Sequence, residues 1–294
     1  MPPSRAMGTR TDGLLLVDKP AGISSHDVVA IARRALRIKK IGHAGTLDPF
    51  ATGLLVLLTG RATRLMPYVD DEPKEYEATI AFGGETDTDD RTGTVTRTAA
   101  VPDEGAVRAA LPALTGEIAQ VPPTYSAKQV EGTRAYDAAR RGEPLALAPV
   151  RVAVHAWRDV AFANGELRAT IACSGGTYIR ALARDLGRAT GSAAHLAALR
   201  RVRAGAFHVG HATAFDALQR GEATVRPARE AIPSLATGTV DASAIERIAH
   251  GMAVDAALPS GADRAALTDA DGELVAIAER SGARWQPRVV LRDA

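Results

Sequence analysis

One carboxylate in this 294-residue sequence stands in a setting suited to catalysis. Asp48 precedes Pro49 within Gly42-His43-Ala44-Gly45-Thr46-Leu47-Asp48-Pro49-Phe50-Ala51-Thr52-Gly53. The proline pushes Asp48 out of the helical region into extended backbone, and the glycines permit close approach of the chain to a ligand. A carboxylate held this way projects from a rigid rim. An isolated Asp-Pro is ordinarily only a turn, however, and the pair by itself assigns no reaction. Other groups suggest chemistry less well. Asp87-Thr88-Asp89-Asp90 looks like the start of a calcium loop, but Arg91 stands where an acid or amide ligand belongs and no glutamate closes a twelve-residue loop. The seven histidines are scattered without metal-ligand spacing, so no metal is expected. The single cysteine, Cys173, can form neither an internal disulfide nor a cysteine-based zinc site, and reads as a buried strand residue. No phosphate-cradling glycine motif is present.

The elements that must hold Asp48 follow from periodicity. Residues 13–18 (GLLLVD) read as a short buried strand, and Ser24-Ser25-His26-Asp27 fits the capping box that opens a helix. Val28, Ile31, Ala32 and Ala35 then recur at helical spacing, while Arg33, Arg34, Arg37, Lys39 and Lys40 crowd the rest of the helix and its exit. This basic helix leads into a glycine-rich loop, 42–53, and then into the apolar run 54–60, a buried strand. Tyr76, Ala78, Ile80 and Phe82 alternate with Glu77, Thr79 and Ala81 as a second strand. From 122 to 148 the chain is proline-bounded, polar and basic, with a short helix at 136–140, and looks inserted. Alternation resumes at 150–154 and 167–172, and a helix is predicted over 178–190, stopping at Gly191. Beyond Pro233 come a short helix (242–250), an Asp271-Gly272 turn and two closing strands, ELVAIAE and WQPRVVL.

With 46% hydrophobic and 24% charged residues the composition is that of an ordinary globular protein, and the length suits one large and one small domain. A lone cysteine fits a reducing cytoplasm, the N-terminal stretch lacks an apolar signal-peptide core, and the longest apolar runs are far too short to span a membrane. A cytoplasmic protein without membrane contact is therefore expected. The net charge of +2 conceals a segregation. Seven Lys/Arg face one acid between Arg33 and Arg64, eleven acids face three bases between Asp70 and Glu104, and twelve bases face five acids between Arg134 and Arg203. Two basic regions flanking an acidic one fit a nucleic-acid face or plain solvated surfaces, and charge alone does not separate these.

The string around Asp48 closely resembles the signature of the TruB family of tRNA uridine-55 pseudouridine synthases. Other blocks resemble the family in the same order: LLLVDKPAGISSHD (14–27), KEYEA (74–78), TDTDDRTG (86–93), PPTYSAKQVEG (122–132), CSGGTYIRALARDLG (173–187) and HLAALRR (195–201). The likeness weakens after about residue 205. It implies an α/β (α+β) catalytic domain on a mixed, largely antiparallel sheet over 13–235, with an N-terminal extension (1–12) and a thumb-like insertion (122–148). A small PUA-like β domain follows at 236–294. The implied activity is isomerisation of one flipped-out uridine in the T-arm loop of tRNA, without cofactor or metal, by a chain acting alone as a monomer. A guide-RNA-dependent relative shares the signature but works inside a multi-protein particle, and the thumb-like insertion favours the stand-alone enzyme.

By the same resemblance, Asp48 is the nucleophile and Arg180 the arginine set against its carboxylate. Tyr76 stacks on the target base and is a candidate for helping to remove the C5 proton, Tyr178 and Leu199 line the uracil pocket, and His43 helps hold the RNA in its flipped-out form. Lys39, Lys40, Lys128, Arg134, Arg200 and Arg201 are the expected phosphate contacts, and Lys19-Pro20 shapes the site. The carboxylate can add to C6 of uracil or engage C1′ as the glycosidic bond breaks, and both routes stay open.

Overall fold

The computed structural model describes residues 10–126, 128–130, 133–143 and 145–292. They form two compact units interleaved along the chain: one takes the residues up to Asp48 together with 54–71 and 206 onward, the other 49–53 and 72–205. Among the described residues no helix is long and apolar enough to cross a membrane.

In the first unit, strand β1 (Gly13–Lys19) is buried at every position but Asp18. Helix α1 (Ser25–Leu36) starts on the expected capping box: Ser24 Oγ accepts from the Asp27 amide at 3.1 Å, and the Asp27 carboxylate accepts from the Ser24 amide at 2.8 Å. Its Val28, Val29 and Ala32 pack with Leu15, Val17, Leu55 and Leu57 in one core. That packing leaves Arg33, Arg34, Arg37, Lys39 and Lys40 exposed. Strand β2 (Ile41–Ala44) pairs antiparallel with strand β3 (Thr52–Thr59), Gly42 opposite Leu58 and Ala44 opposite Val56. The loop expected from 42 therefore begins only at Gly45, because pairing with β3 satisfies backbone groups that a loop would leave to water. β1 runs parallel to residues 213–214 and antiparallel to 226–227.

The same unit contains a four-stranded sheet in the order 236–239, 264–268, 274–281, 284–290, its first pair parallel and the others antiparallel. Val240, Ile248, Leu267, Val275 and Trp285 form its core. Arg10 grips Glu273 with two bonds of 2.5 and 2.7 Å, while Arg61 and Arg64 donate to the carbonyls of Leu291 and Val290 at 3.1 and 2.6 Å.

The second unit is built on strand β4 (Lys74–Phe82), whose Tyr76, Ala78, Ile80 and Phe82 are buried as their alternation predicts. After it come the hairpin β5 (Gly84–Thr86) and β6 (Val95–Thr98), helix α2 (Glu104–Ala110) and strand β7 (Gly116–Gln120). A small ribbon, β8 (Gln129–Val130) and β9 (Thr133–Arg134), precedes helix α3 (Ala135–Arg140). Strands β10 (Val150–Ala163) and β11 (Glu166–Cys173), helix α4 (Ile179–Ala189) and strand β12 (Ala194–Ala204) complete it. The sheet order is β12-β4-β11-β10-β7, antiparallel throughout, and the first residues of β3, Thr52 and Gly53, run parallel to β12 at Arg200 and Arg201. A mixed, largely antiparallel sheet is thus observed. β10 is much longer than the stretch 150–154 expected from alternation. Its outer half carries register shifts and Asp159 at φ 51°, which break the period of two.

Candidate active site

Asp48 is half-buried and sits on the irregular stretch that begins at Gly45, a residue at φ 76°. The residue before it is pinned. Buried Ser25, in the first turn of α1, donates from Oγ to the Leu47 carbonyl at 3.1 Å and accepts from the Leu47 amide at 2.9 Å. Leu47 is itself buried. The capped helix start thus fixes the loop immediately ahead of the carboxylate. His43 lies on β2 opposite Leu57, its ring edge-on to that of His26 with centroids 5.3 Å apart. Lys39 and Lys40 occupy the exposed turn between α1 and β2. The neighbouring Lys19 is fully buried, and its ammonium closes the following turn by donating to the carbonyls of Pro20 and Ile23, both at 2.8 Å.

In the second unit Tyr76 faces Arg201 across β12 and Ile171 across β11, and Leu199 faces Ala78. Directly opposed residues share a sheet face, so Tyr76, Leu199, Arg201 and Ile171 stand on one side. An aromatic ring beside an aliphatic side chain suits a flat, uncharged nucleobase. Tyr178 occupies the N-cap position of α4, with its amide and carbonyl both held by the buried side chain of Gln120 at 2.9 and 3.2 Å. Arg180, 5% exposed, donates to the carbonyls of Thr88 and Tyr125 at 3.1 and 3.0 Å, and its guanidinium lies 3.7 Å from the Asp90 carboxylate.

Arg180 is the first rung of a ladder. One turn on, Arg184 binds Asp89 at 2.9 Å, and one turn further Arg188 binds Glu85 at 3.0 Å. Burial pushes the Asp89 carboxyl up to about 6 against the pull of Arg184 and Arg180, whereas the bond from Arg188 holds Glu85 below the ordinary carboxylate range. The sequence assigns no role to these acids or to Arg184, Arg188 and Gln120, although Asp89, Asp90 and Arg184 fall within the family-like blocks. The readable signal was the arginine spacing of four on a predicted helix. Burial also pushes the Cys173 thiol up to about 11, so it is no ready nucleophile. Among the described residues no group of three His, Cys, Asp or Glu stands together as a metal site.

The expected phosphate contacts divide. Lys39, Lys40 and Lys128 are exposed and Arg200 is half-buried. Arg201 is only 1% exposed, which corrects its assignment: a guanidinium enclosed in the protein does not present itself to a phosphate. The side chain of Arg134 lies outside the described residues.

Two family profiles match the chain. One, described as TruB family pseudouridylate synthase (N terminal domain), covers residues 33–179, and the other, tRNA pseudouridylate synthase B C-terminal domain, covers 180–232. The tRNA pseudouridine synthase B of Thermobifida fusca is 45% identical over 294 residues, covering 95% of this chain and 98% of that protein. That of Paracoccus denitrificans is 47% identical over 238 residues, 79% of this chain and 80% of its own. Among solved structures, a chain of an archaeal box H/ACA sRNP Nop10-Cbf5 complex superposes with a TM-score of 0.70 at 25% identity, covering 96% of this chain and 87% of that one.

Proposed function

As a member of the TruB family of pseudouridylate synthases this chain is a tRNA pseudouridine synthase, and we propose that it uses Asp48 to isomerise the uridine of the tRNA T-arm loop. The reading is carried by Asp48 itself, half-buried on a loop that Ser25 pins to the start of α1, within the string of residues shared with the family. Isomerisation breaks the N1–C1′ bond, turns the ring, and joins C5 to C1′. A proton leaves C5 and one is gained at N1, so no atom or electron is gained overall. A carboxylate suits this sequence because it can add to C6 or C1′ and leave again.

The other assignments follow from that role. Arg180 serves as the arginine that the family pattern pairs with the nucleophile. Tyr76 stacks on the extruded base and takes part in removing the C5 proton, Tyr178 and Leu199 line the uracil, and His43 supports the flipped-out RNA. Lys39, Lys40, Lys128 and Arg200 meet phosphates, as Arg134 does in the segment 122–148 that closes over the tRNA arm. Residues 13–235 serve catalysis, and 236–294 act as a PUA-like RNA-binding domain. The protein works in the cytoplasm as a monomer, without guide RNA. Identity of 45–47% to proteins named tRNA pseudouridine synthase B, against 25% to the chain from the Nop10-Cbf5 assembly, supports that last point.

Because the reaction leaves mass unchanged, chemical mapping of pseudouridine in a tRNA transcript treated with the purified protein is the deciding assay. Modification at the T-loop uridine is expected. Asp48→Asn should lower the rate by roughly four orders of magnitude while keeping tRNA affinity within about threefold. Undiminished activity in that variant would refute the nucleophile assignment, and activity only with added guide RNA and partner proteins would refute the stand-alone reading.

A further inference from the structure

Arg184 lies one helical turn beyond Arg180, and both it and Asp89 retain only 9% side-chain exposure. Each nitrogen of its guanidinium has a separate partner. Nη1 binds Asp89, Nη2 donates to the Val121 carbonyl, and Nε donates to Asp185, all at 2.9 Å. Arg180 repeats the pattern one turn earlier, reaching Thr88 and Tyr125. The same two segments, 88–90 and 121–125, are therefore gripped twice by α4, and Gln120 adds its paired bonds to Tyr178. Burying an ion pair stabilises little relative to packed apolar side chains, so its gain is better sought in fixed geometry. Asp89 also sits at φ 59°, a left-handed backbone uncommon for a residue with a side chain, which its contacts must offset.

We propose that Arg184 and Asp89 are positioning residues for the isomerisation, a buried latch that fixes the root of the segment 122–148 and the 86–90 loop on α4, and with them the seats of Arg180 and Tyr178. The proposal rests on the reading above, in which Arg180 and Tyr178 serve the uracil site. Arg184 itself needs no contact with RNA.

The test uses the full chain and a tRNA transcript, with Arg184→Lys and Asp89→Asn. Lysine keeps the charge but has one nitrogen, and cannot hold Asp89, Val121 and Asp185 together. Each variant is expected to melt cooperatively, to bind tRNA within about threefold of the parent, and to lose on the order of 10- to 100-fold in single-turnover rate. The double variant should lose little more than the worse single, since both members serve one contact. Single-variant rates within about twofold of the parent, or losses that multiply fully in the double, overturn the proposal. So does a rate loss explained wholly by weaker tRNA binding, and so does loss of cooperative melting, which would make the pair a requirement of folding. A parent protein that forms no pseudouridine would instead refute the functional reading, and is detected before any variant is compared.

Discussion

Gly53 shows how a single position can fix the approach of two strands. It sits at φ 101°, and a Cβ there would fall 2.3 Å from the Arg201 carbonyl oxygen and 2.8 Å from its amide nitrogen. Both obstacles are backbone, so no side-chain rotation relieves them. Gly53→Ala should destabilise the protein by more than about 1 kcal/mol, read from denaturant midpoints; an unchanged midpoint would show that β3 can withdraw from β12 freely. The same contact region holds the misassigned Arg201. From sequence alone, an arginine next to Arg200 in a basic stretch reads as a phosphate ligand, because charge runs report composition and not depth. Asp48 teaches a similar lesson. The Asp-Pro step is common, and only the surrounding string distinguished it, while the Ser25–Leu47 bonds that hold its loop come from residues 22 positions apart.

At the scale of elements, α4 is the best example of what was legible. Its limits were close to the predicted 178–190, and its arginines at 180, 184 and 188 share a face by their spacing. Their partners were not legible, because periodicity describes one element at a time and Asp90, Asp89 and Glu85 lie about a hundred residues upstream. The hairpin joining β10 and β11 was readable but passed over: Asn164-Gly165, at φ 53° and 76°, is the turn pair such a connection favours. The ladder's rungs also titrate in opposite senses. Asp89, raised from 3.8 to about 6, holds a proton more readily folded than unfolded. Its contribution to stability is complete below about 3.8 and is lost as pH rises through about 6. Glu85, lowered from 4.5, contributes above that value and loses its contribution as pH falls. Asp89→Asn removes the first effect only. Between about pH 4 and pH 7 the stability of the variant relative to the parent should therefore rise, by at most about 3 kcal/mol. Thermal melts across that range check it, and a difference that stays flat counts against a raised Asp89.

For the whole molecule, a net charge of +2 gives little long-range attraction to RNA, so affinity has to come from local basic stretches. The exposed exit of α1 is one. Lys39→Gln with Lys40→Gln should weaken tRNA binding at low salt and reduce the slope of log affinity against log salt by roughly 1.5 to 2, leaving the rate at saturating tRNA nearly unchanged. Filter binding over a salt series measures the slope, and an unaltered slope would place the RNA elsewhere.

The interleaved path of the chain also bears on its manufacture. Residues 49–53 and 72–205 have all been synthesised once Gly205 is added, so the second unit can close while translation continues. The first cannot. β1, nearly all of it buried in the finished protein, has β3 for one edge early in synthesis, but its other edge waits about two hundred residues for Thr213 and Ala214 and longer still for Arg226 and Pro227. Throughout that interval the nascent chain displays one open edge of GLLLV, a standing invitation to misassociation and a natural hold for a ribosome-bound chaperone.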